Sequence, residues 1–203
     1  MKIICVGRNY IAHVHELQNE APSEPVIFLK PDTALLNPEQ GFFIPEFSTE
    51  IHYEVELLLK IKKVGKYIDR KFAHKYYDFI GLGIDFTARD LQQQLKEKKL
   101  PWEKAKAFDG SALVGSFVNK TEFDNLKNIN FSLLKNDVVV QEGNSAHMIW
   151  DFDELIEFIS QYFTLKTGDI IFTGTPAGVG KIAEGDILKG FIGNREIFQI
   201  KVK

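Results

Sequence analysis

Two glutamates one residue apart, Glu54 and Glu56 in the stretch HYEVELLL (52–59), are residues whose type and spacing could do chemistry. In an extended strand side chains alternate, so His52, Glu54, Glu56 and Leu58 share one face, and Tyr53, Val55, Leu57 and Leu59 the other. Leucines on both faces directly after Glu56 imply that both faces are covered there, which draws the carboxylates toward the interior. The ordinary reading of such a pair is a solvated face, here within reach of Lys60 or Lys62. Buried, the two acids need compensation, because an unpaired buried carboxylate is costly and shifts toward its neutral form. A divalent cation can supply it, since carboxylate oxygens are hard ligands that favour Mg²⁺, Mn²⁺ or Ca²⁺. Side chains at i and i+2 grip an ion from one side only, so a third carboxylate is expected. Asp85, in GLGIDFTARDLQ, ends an apolar strand where a helical pattern begins and would emerge at a rim. An Asp at such a boundary more commonly caps the helix.

Other candidates carry weaker local signals. His13 and Glu16 are three residues apart on a helical pattern, a spacing that puts them on one face, although both could simply face solvent. Lys106 in WEKAKAF would pass for a surface lysine, with Lys104 beside it. Arg89 follows Asp85 on a helical turn and could equally form a structural ion pair. The stretch TGTPAGVG (173–180) offers backbone N–H groups in a glycine-rich loop. It lacks the Gly-Lys-Ser/Thr ending of a phosphate-binding loop. The GLG of GLGIDF has neither the third glycine nor the strand–helix–strand setting of a dinucleotide site.

The elements that must position these residues read as mostly β. Short β-rich runs recur: KIICV, PVIFLK, IHYEVELLLKIKK, DFIGLGIDF, SALVGSFV, INFSLL with VVVQ, DIIFTG, DILKGFI and EIFQIKVK. Helical periodicity is confined to YIAHVHELQ, TARDLQQQLKEKK and DFDELIEFISQYF, the last opened by Asp151 and Glu154 as a capping box. Three helices cannot cover both faces of a parallel sheet, so an antiparallel or mixed assembly in a β-rich α+β fold is expected. At 203 residues the chain suits one domain, 1–203. Its 25 basic and 28 acidic side chains leave a net charge near −3, with no basic field for nucleic acid or an anionic membrane. No apolar stretch approaches a membrane span. The one cysteine, Cys5, excludes an internal disulfide and fits a cytoplasm, or an organelle matrix after processing.

Six segments, GRNYIAHVHELQNE, EPVIFLKP, HYEVELLLKI, GIDFTARDLQ, LPWEKAKAFD and GDIIFTGTPAGVG, occur in the order and approximate spacing of the fumarylacetoacetate hydrolase family. The chain resembles that family's catalytic domain over nearly its whole length. The resemblance implies a mixed β-sandwich roll with a few peripheral helices, and a homodimer. It implies that Glu54, Glu56 and Asp85 hold Mg²⁺ (or Mn²⁺), that His13 and Glu16 form a base dyad, and that Lys106 is an active-site cation. By the same resemblance Arg8, Arg89 and Gln92 contact substrate or support the metal site, while Gly174 and Thr175 hydrogen-bond a substrate carboxylate. Two departures stand out. Ala146 and His147 replace a hydroxyl residue followed by Asp or Ser, and KAF replaces the common KSF beside Lys106.

What the resemblance implies about function is a Mg²⁺-dependent hydrolase that cleaves a carbon–carbon bond of acylpyruvate-like 2,4-dioxo acids, small 2-oxo acids that chelate a cation. The same site would serve an oxaloacetate tautomerase or decarboxylase, or a 2-hydroxyhepta-2,4-diene-1,7-dioate isomerase. A catalytically idle module that merely binds metal or ligand is the alternative of another class; the intact acids, lysine and dyad argue against it.

Overall fold

The computed structural model describes residues 1–16 and 20–203. In chain order the strands are β1 (Ile3–Gly7), β2 (Val26–Lys30), β3 (Ile51–Tyr53), β4 (Val55–Ile61), β5 (Tyr77–Asp85), β6 (Thr87–Ala88), β7 (Ala112–Asn119), β8 (Asn130–Lys135), β9 (Val138–Asn144), β10 (Ile170–Phe172), β11 (Gly180–Lys181), β12 (Ile187–Ile192) and β13 (Arg195–Lys201). The helices are α1 (Ile11–Glu16), α2 (Arg70–Ala73), α3 (Arg89–Glu97), α4 (Glu103–Lys106) and α5 (Phe152–Tyr162). Leu17 and Gln18, which the sequence pattern adds to the first helix, lie outside the described residues.

A six-stranded sheet in the order β2-β1-β10-β4-β5-β7 forms the frame. Its β1–β10 pair is parallel and its other pairs antiparallel, so the sheet is mixed, as expected. Central β4 is apolar on both faces. Val55, Leu57, Leu59 and Ile61 enter the main core, whereas Leu58 joins Ile3, Cys5, Ala34, Ala112, Ile170 and Phe172 in a smaller cluster on the other side. Complete burial of a leucine from water is worth roughly 1.5–3 kcal/mol, so this strand is fixed firmly in place. A four-stranded antiparallel sheet, β13-β12-β8-β9, packs against it. Glycine lets the two sheets approach: a Cβ on Gly115 would fall 2.9 Å from Phe198 of β13. On α5 the apolar stripe of Leu155, Ile156 and Ile159 is buried, and the Asp151–Glu154 capping box closes its N-terminus.

The long strand read from HYEVELLL is in fact broken. β3 ends at Tyr53, β4 begins at Val55, and β3 belongs to a separate small sheet, β11-β3-β6. The strand alternation still carries Glu54 and Glu56 inward, but His52 is drawn away to Glu50, its Nε2 lying 3.1 Å from Oε1. The four-residue helices α2 and α4 are too short to show a helical period in sequence. No described helix is long and apolar enough to cross a membrane.

Candidate active site

Antiparallel pairing of β4 with β5 sets Val55 opposite Ile84 and Glu56 opposite Gly83. One step further, the Asp85 amide donates to the Glu54 carbonyl at 2.9 Å, tying the break before β4 to the end of β5. The side chains of Glu54, Glu56 and Asp85 therefore converge, with one oxygen of each within 4.8 Å of the others. Their exposures are 4%, 2% and 1%, which excludes the solvated-face reading. Lys60 and Lys62 play no part: Lys62 pairs with Asp78, and Lys60 lies over the Phe117 ring. Nor does Asp85 cap α3, whose N-cap position is taken by Ala88 without any side-chain bond.

Cations surround the acids. Lys106, at the end of α4, places Nζ 2.7 Å from Glu54 Oε2, 2.7 Å from Asp85 Oδ2 and 2.6 Å from Thr87 Oγ1. Arg89 Nη2 donates to Glu54 Oε1, and its Nη1 donates to Gln92 Oε1 at 2.6 Å. Lys30, to which the sequence reading gave no role, is a third. Fully buried at the end of β2, its Nζ lies 2.7 Å from Asp85 Oδ1 and donates to the Lys106 carbonyl and to Ser111 Oγ. Lys104 is exposed, as a neighbouring surface lysine would be.

These contacts drive the two glutamates apart. Burial alone would raise the Glu54 pKa, but Lys106 and Arg89 outweigh it and hold the group far below the usual carboxylate range. Glu56 goes the other way: burial, then the charges of Asp85 and Glu54, push it well above 4.5. Its Oε2 accepts the Gly174 amide at 2.7 Å, yet among the described residues no cation pairs with it. The donor set fits a hard divalent cation: three buried carboxylates whose oxygens converge, one of them, Glu56, with no cationic partner among the described residues.

His13 and Glu16 pair within one helix and are supported from a distant loop. His13 is buried on α1 and its Nδ1 lies 3.0 Å from Glu16 Oε2. The other carboxylate oxygen, Glu16 Oε1, accepts the Gly178 amide at 2.9 Å, so the glycine-rich loop orients the acid that orients the imidazole. His15 faces solvent. Asn9, fully buried and unremarked in the sequence, ties this loop to the GRNY segment: its Nδ2 donates to the Thr173 carbonyl at 2.7 Å, and its Oδ1 accepts the Trp150 amide at 2.8 Å. Beside it Arg8 adopts φ 60°, a left-handed conformation uncommon for a side chain of its size.

One cleft is lined by Arg8, His13, Glu54, Glu56, Asp85, Arg89, Gln92, Lys106 and Thr175. Of the residues singled out in the sequence, Glu16 stands behind His13, and Gly174 lies behind Glu56, to which its N–H is committed. Gly174 needs its missing side chain, since its φ is 103° and a Cβ would come 2.7 Å from that of Asn9. Thr175 Oγ1 accepts from Gln141 Nε2 at 2.9 Å, and Gln141 Oε1 also accepts the Val55 amide at 2.9 Å. Ala146 and His147, where the sequence departs from the family pattern, are exposed and do not line the cleft.

Comparison with known proteins identifies the family. The family described as fumarylacetoacetate (FAA) hydrolase C-terminal matches residues 2–200. The chain belongs to this family. It is 42% identical over 189 residues to the mitochondrial oxaloacetate decarboxylase of Dictyostelium discoideum, covering 93% of this chain and 87% of that one. It is 40% identical over 188 residues to oxaloacetate tautomerase YcgM of Escherichia coli (strain K12), covering 92% and 86%. The crystal structure of fumarylpyruvate hydrolase from Pseudomonas aeruginosa in complex with Mn²⁺ and pyruvate superposes with a TM-score of 0.91 at 33% identity, covering 100% of this chain and 89% of that one.

Proposed function

We propose that this chain is a divalent-cation-dependent enzyme, using Mg²⁺ or Mn²⁺, that interconverts the keto and enol forms of oxaloacetate. The observation that carries the reading is the convergence of three buried carboxylates beside a histidine–glutamate dyad in one cleft. The choice of oxaloacetate over an acylpyruvate rests on the relatives, two of which are named for oxaloacetate chemistry at 40–42% identity.

Glu54, Glu56 and Asp85 would hold the cation, which when bound supplies Lewis acidity toward the oxygens of a 2-oxo acid. The chain's own residues handle charge and proton. With its Nδ1 proton donated to Glu16, His13 presents Nε2 as a base, and the carboxylate behind it stabilises the imidazolium that forms. His13 takes a proton from the carbon next to the keto group, the C–H electron pair becomes the carbon–carbon double bond, and negative charge moves to the keto oxygen. Lys106, a buried ammonium fixed by three acceptors, is suited to oppose that charge. The proton then returns to the oxygen, so no water is consumed and no carbon–carbon bond breaks.

Hydrolysis of an acylpyruvate-like 2,4-dioxo acid is the second reading, favoured by the likeness to the fumarylpyruvate hydrolase. There His13 would activate water instead of a C–H bond. The two separate in one experiment, in which purified protein with Mg²⁺ or Mn²⁺ is given oxaloacetate or acetylpyruvate and the enol absorbance is followed. Accelerated loss of the oxaloacetate enol, with acetylpyruvate left intact, is the expected result. Cleavage of acetylpyruvate while oxaloacetate tautomerises only at the buffer rate overturns the proposal in favour of the hydrolase.

A further inference from the structure

The cations of the acid cluster and its cleft fall into two groups. Lys30, Lys106 and Arg89 are each committed to Glu54 or Asp85. Arg8 and Lys96 also line the cleft, but among the described residues neither has an acidic partner. Lys96 lies in the last turn of α3, and its Nζ sits 5.8 Å from the centroid of the Trp102 ring. Trp102 packs edge-on against Phe28, with ring centroids 6.2 Å apart, and Lys106 Nζ lies 5.4 Å from the Phe28 centroid. An aromatic pair thus separates the lysine among the acids from the lysine beyond them.

The geometry points to Lys96, together with Arg8, as the determinant that recognises the second carboxylate of a dicarboxylic substrate. This deepens the oxaloacetate reading and rests on it for the identity of the substrate. A 2-oxo acid that places one carboxylate and its keto oxygen at the acid cluster directs whatever lies beyond C3 away from it. In oxaloacetate that group is a second carboxylate, and in pyruvate it is only a hydrogen. An anion there meets two cations that, among the described residues, no protein carboxylate pairs with directly. The electrostatics are in keeping: burial, then repulsion from Arg89, Arg8 and Lys106, brings Lys96 down to about 8, a strain that an anionic ligand relieves. The aromatic face of Trp102 holds the ammonium without neutralising it.

Lactate and malate differ only by the distal carboxylate, and neither can enolise, so they separate recognition from turnover. Equilibrium binding of both is measured to the Mn²⁺-loaded protein, for the wild type, Lys96→Met and Lys96→Arg. The wild type is expected to hold malate about tenfold more tightly than lactate, equivalent to about 1.4 kcal/mol. Lys96→Met should lose most of that preference with lactate affinity unchanged, Lys96→Arg should retain it, and the KM for oxaloacetate should rise with Lys96→Met. A purely structural role for Lys96 at the helix end would change both ligands alike. A wild type that holds malate no better than lactate, or a preference that survives Lys96→Met, overturns the inference. If the malate preference depends on Lys96 while oxaloacetate is not turned over, the functional reading fails and the carboxylate site stands.

Discussion

Replacing Glu56 by Gln tests the electrostatic logic of the cluster, because it removes one charge while keeping the shape and the oxygen that accepts the Gly174 amide. Burial, then Asp85 and Glu54, push the Glu56 carboxyl well above its ordinary 4.5. A group whose folded pKa is raised binds its proton more tightly in the folded state. Below pH 4.5 both states are protonated and the charge costs nothing. As pH rises past 4.5 the unfolded chain ionises first, and folding loses about 1.4 kcal/mol per pH unit until the folded group ionises too. In EDTA, Glu56→Gln should therefore match the wild type near pH 4.5 and become progressively more stable than it above. At about 2–4 °C per kcal/mol for a chain of this length, the melting temperatures should separate by roughly 3–6 °C per pH unit. Saturating Mn²⁺ should narrow the gap at every pH and reverse the order within about two pH units of 4.5, where the EDTA gap is smaller than the gain from the ion. A ligand at one hundred times its Kd stabilises by about 2.7 kcal/mol, and the variant, with one ligand neutral, should lose most of that gain. Thermal melts from pH 4.5 to 8, with EDTA and with Mn²⁺, decide the matter. Parallel curves in EDTA together with equal stabilisation by Mn²⁺ would refute both the unmatched charge and the metal assignment.

Lys30→Met should destabilise the protein by about 3–5 kcal/mol in urea or thermal melts, since removing one partner of a buried ion pair leaves Asp85 uncompensated on that side. A loss under about 1 kcal/mol would show that the Lys30 contacts carry little energy. Asp169 is held below its ordinary 3.8 because hydrogen bonds from the side chain and amide of Lys2 and from the Lys166 amide outweigh burial. Its stabilisation is therefore present above 3.8 and lost as pH falls through the lower folded value. Asp169→Asn should cost about 1.5–3 kcal/mol at pH 7, with the gap closing in acid; a gap independent of pH would contradict the assignment.

What the sequence reveals about this site depends on how local the signal is. The burial of Glu54 and Glu56 follows from leucines on both faces of the same strand, and the Asp151–Glu154 capping box from a spacing of three. Asp85 is ambiguous in sequence because an Asp just before a helical pattern fits a cap equally well; only the pairing of β5 with β4 shows that it lies opposite the glutamates. Lys30 is invisible for a similar reason. It ends an apolar run before Pro31 as many exposed edge lysines do, and its contacts come from Asp85, Lys106 and Ser111, 55 to 81 positions away. The support of Glu16 by Gly178 spans 162 positions, and no periodicity in either segment points to it. The break at Glu54 escapes because each half of the run has strand character, while the division between two sheets is set by partners elsewhere in the chain.

That break also explains why two glutamates separated by one residue have opposite electrostatic fates. At the junction between β3 and β4, Glu54 is reached from two sides: Arg89 at the start of α3 takes Oε1, and Lys106 from α4 takes Oε2. Both of its oxygens are committed to cations. Glu56 lies one step inside β4, where the neighbouring strands β5 and β10 offer backbone and apolar groups, and its bond comes from the neutral amide of Gly174. An amide dipole stabilises a carboxylate less than a full positive charge does, and at 2% exposure water cannot make up the difference. Glu54 thus keeps its charge whatever the cleft contains. The ionisation of Glu56 depends on what enters, which makes it the member of the cluster through which an arriving cation is felt most strongly.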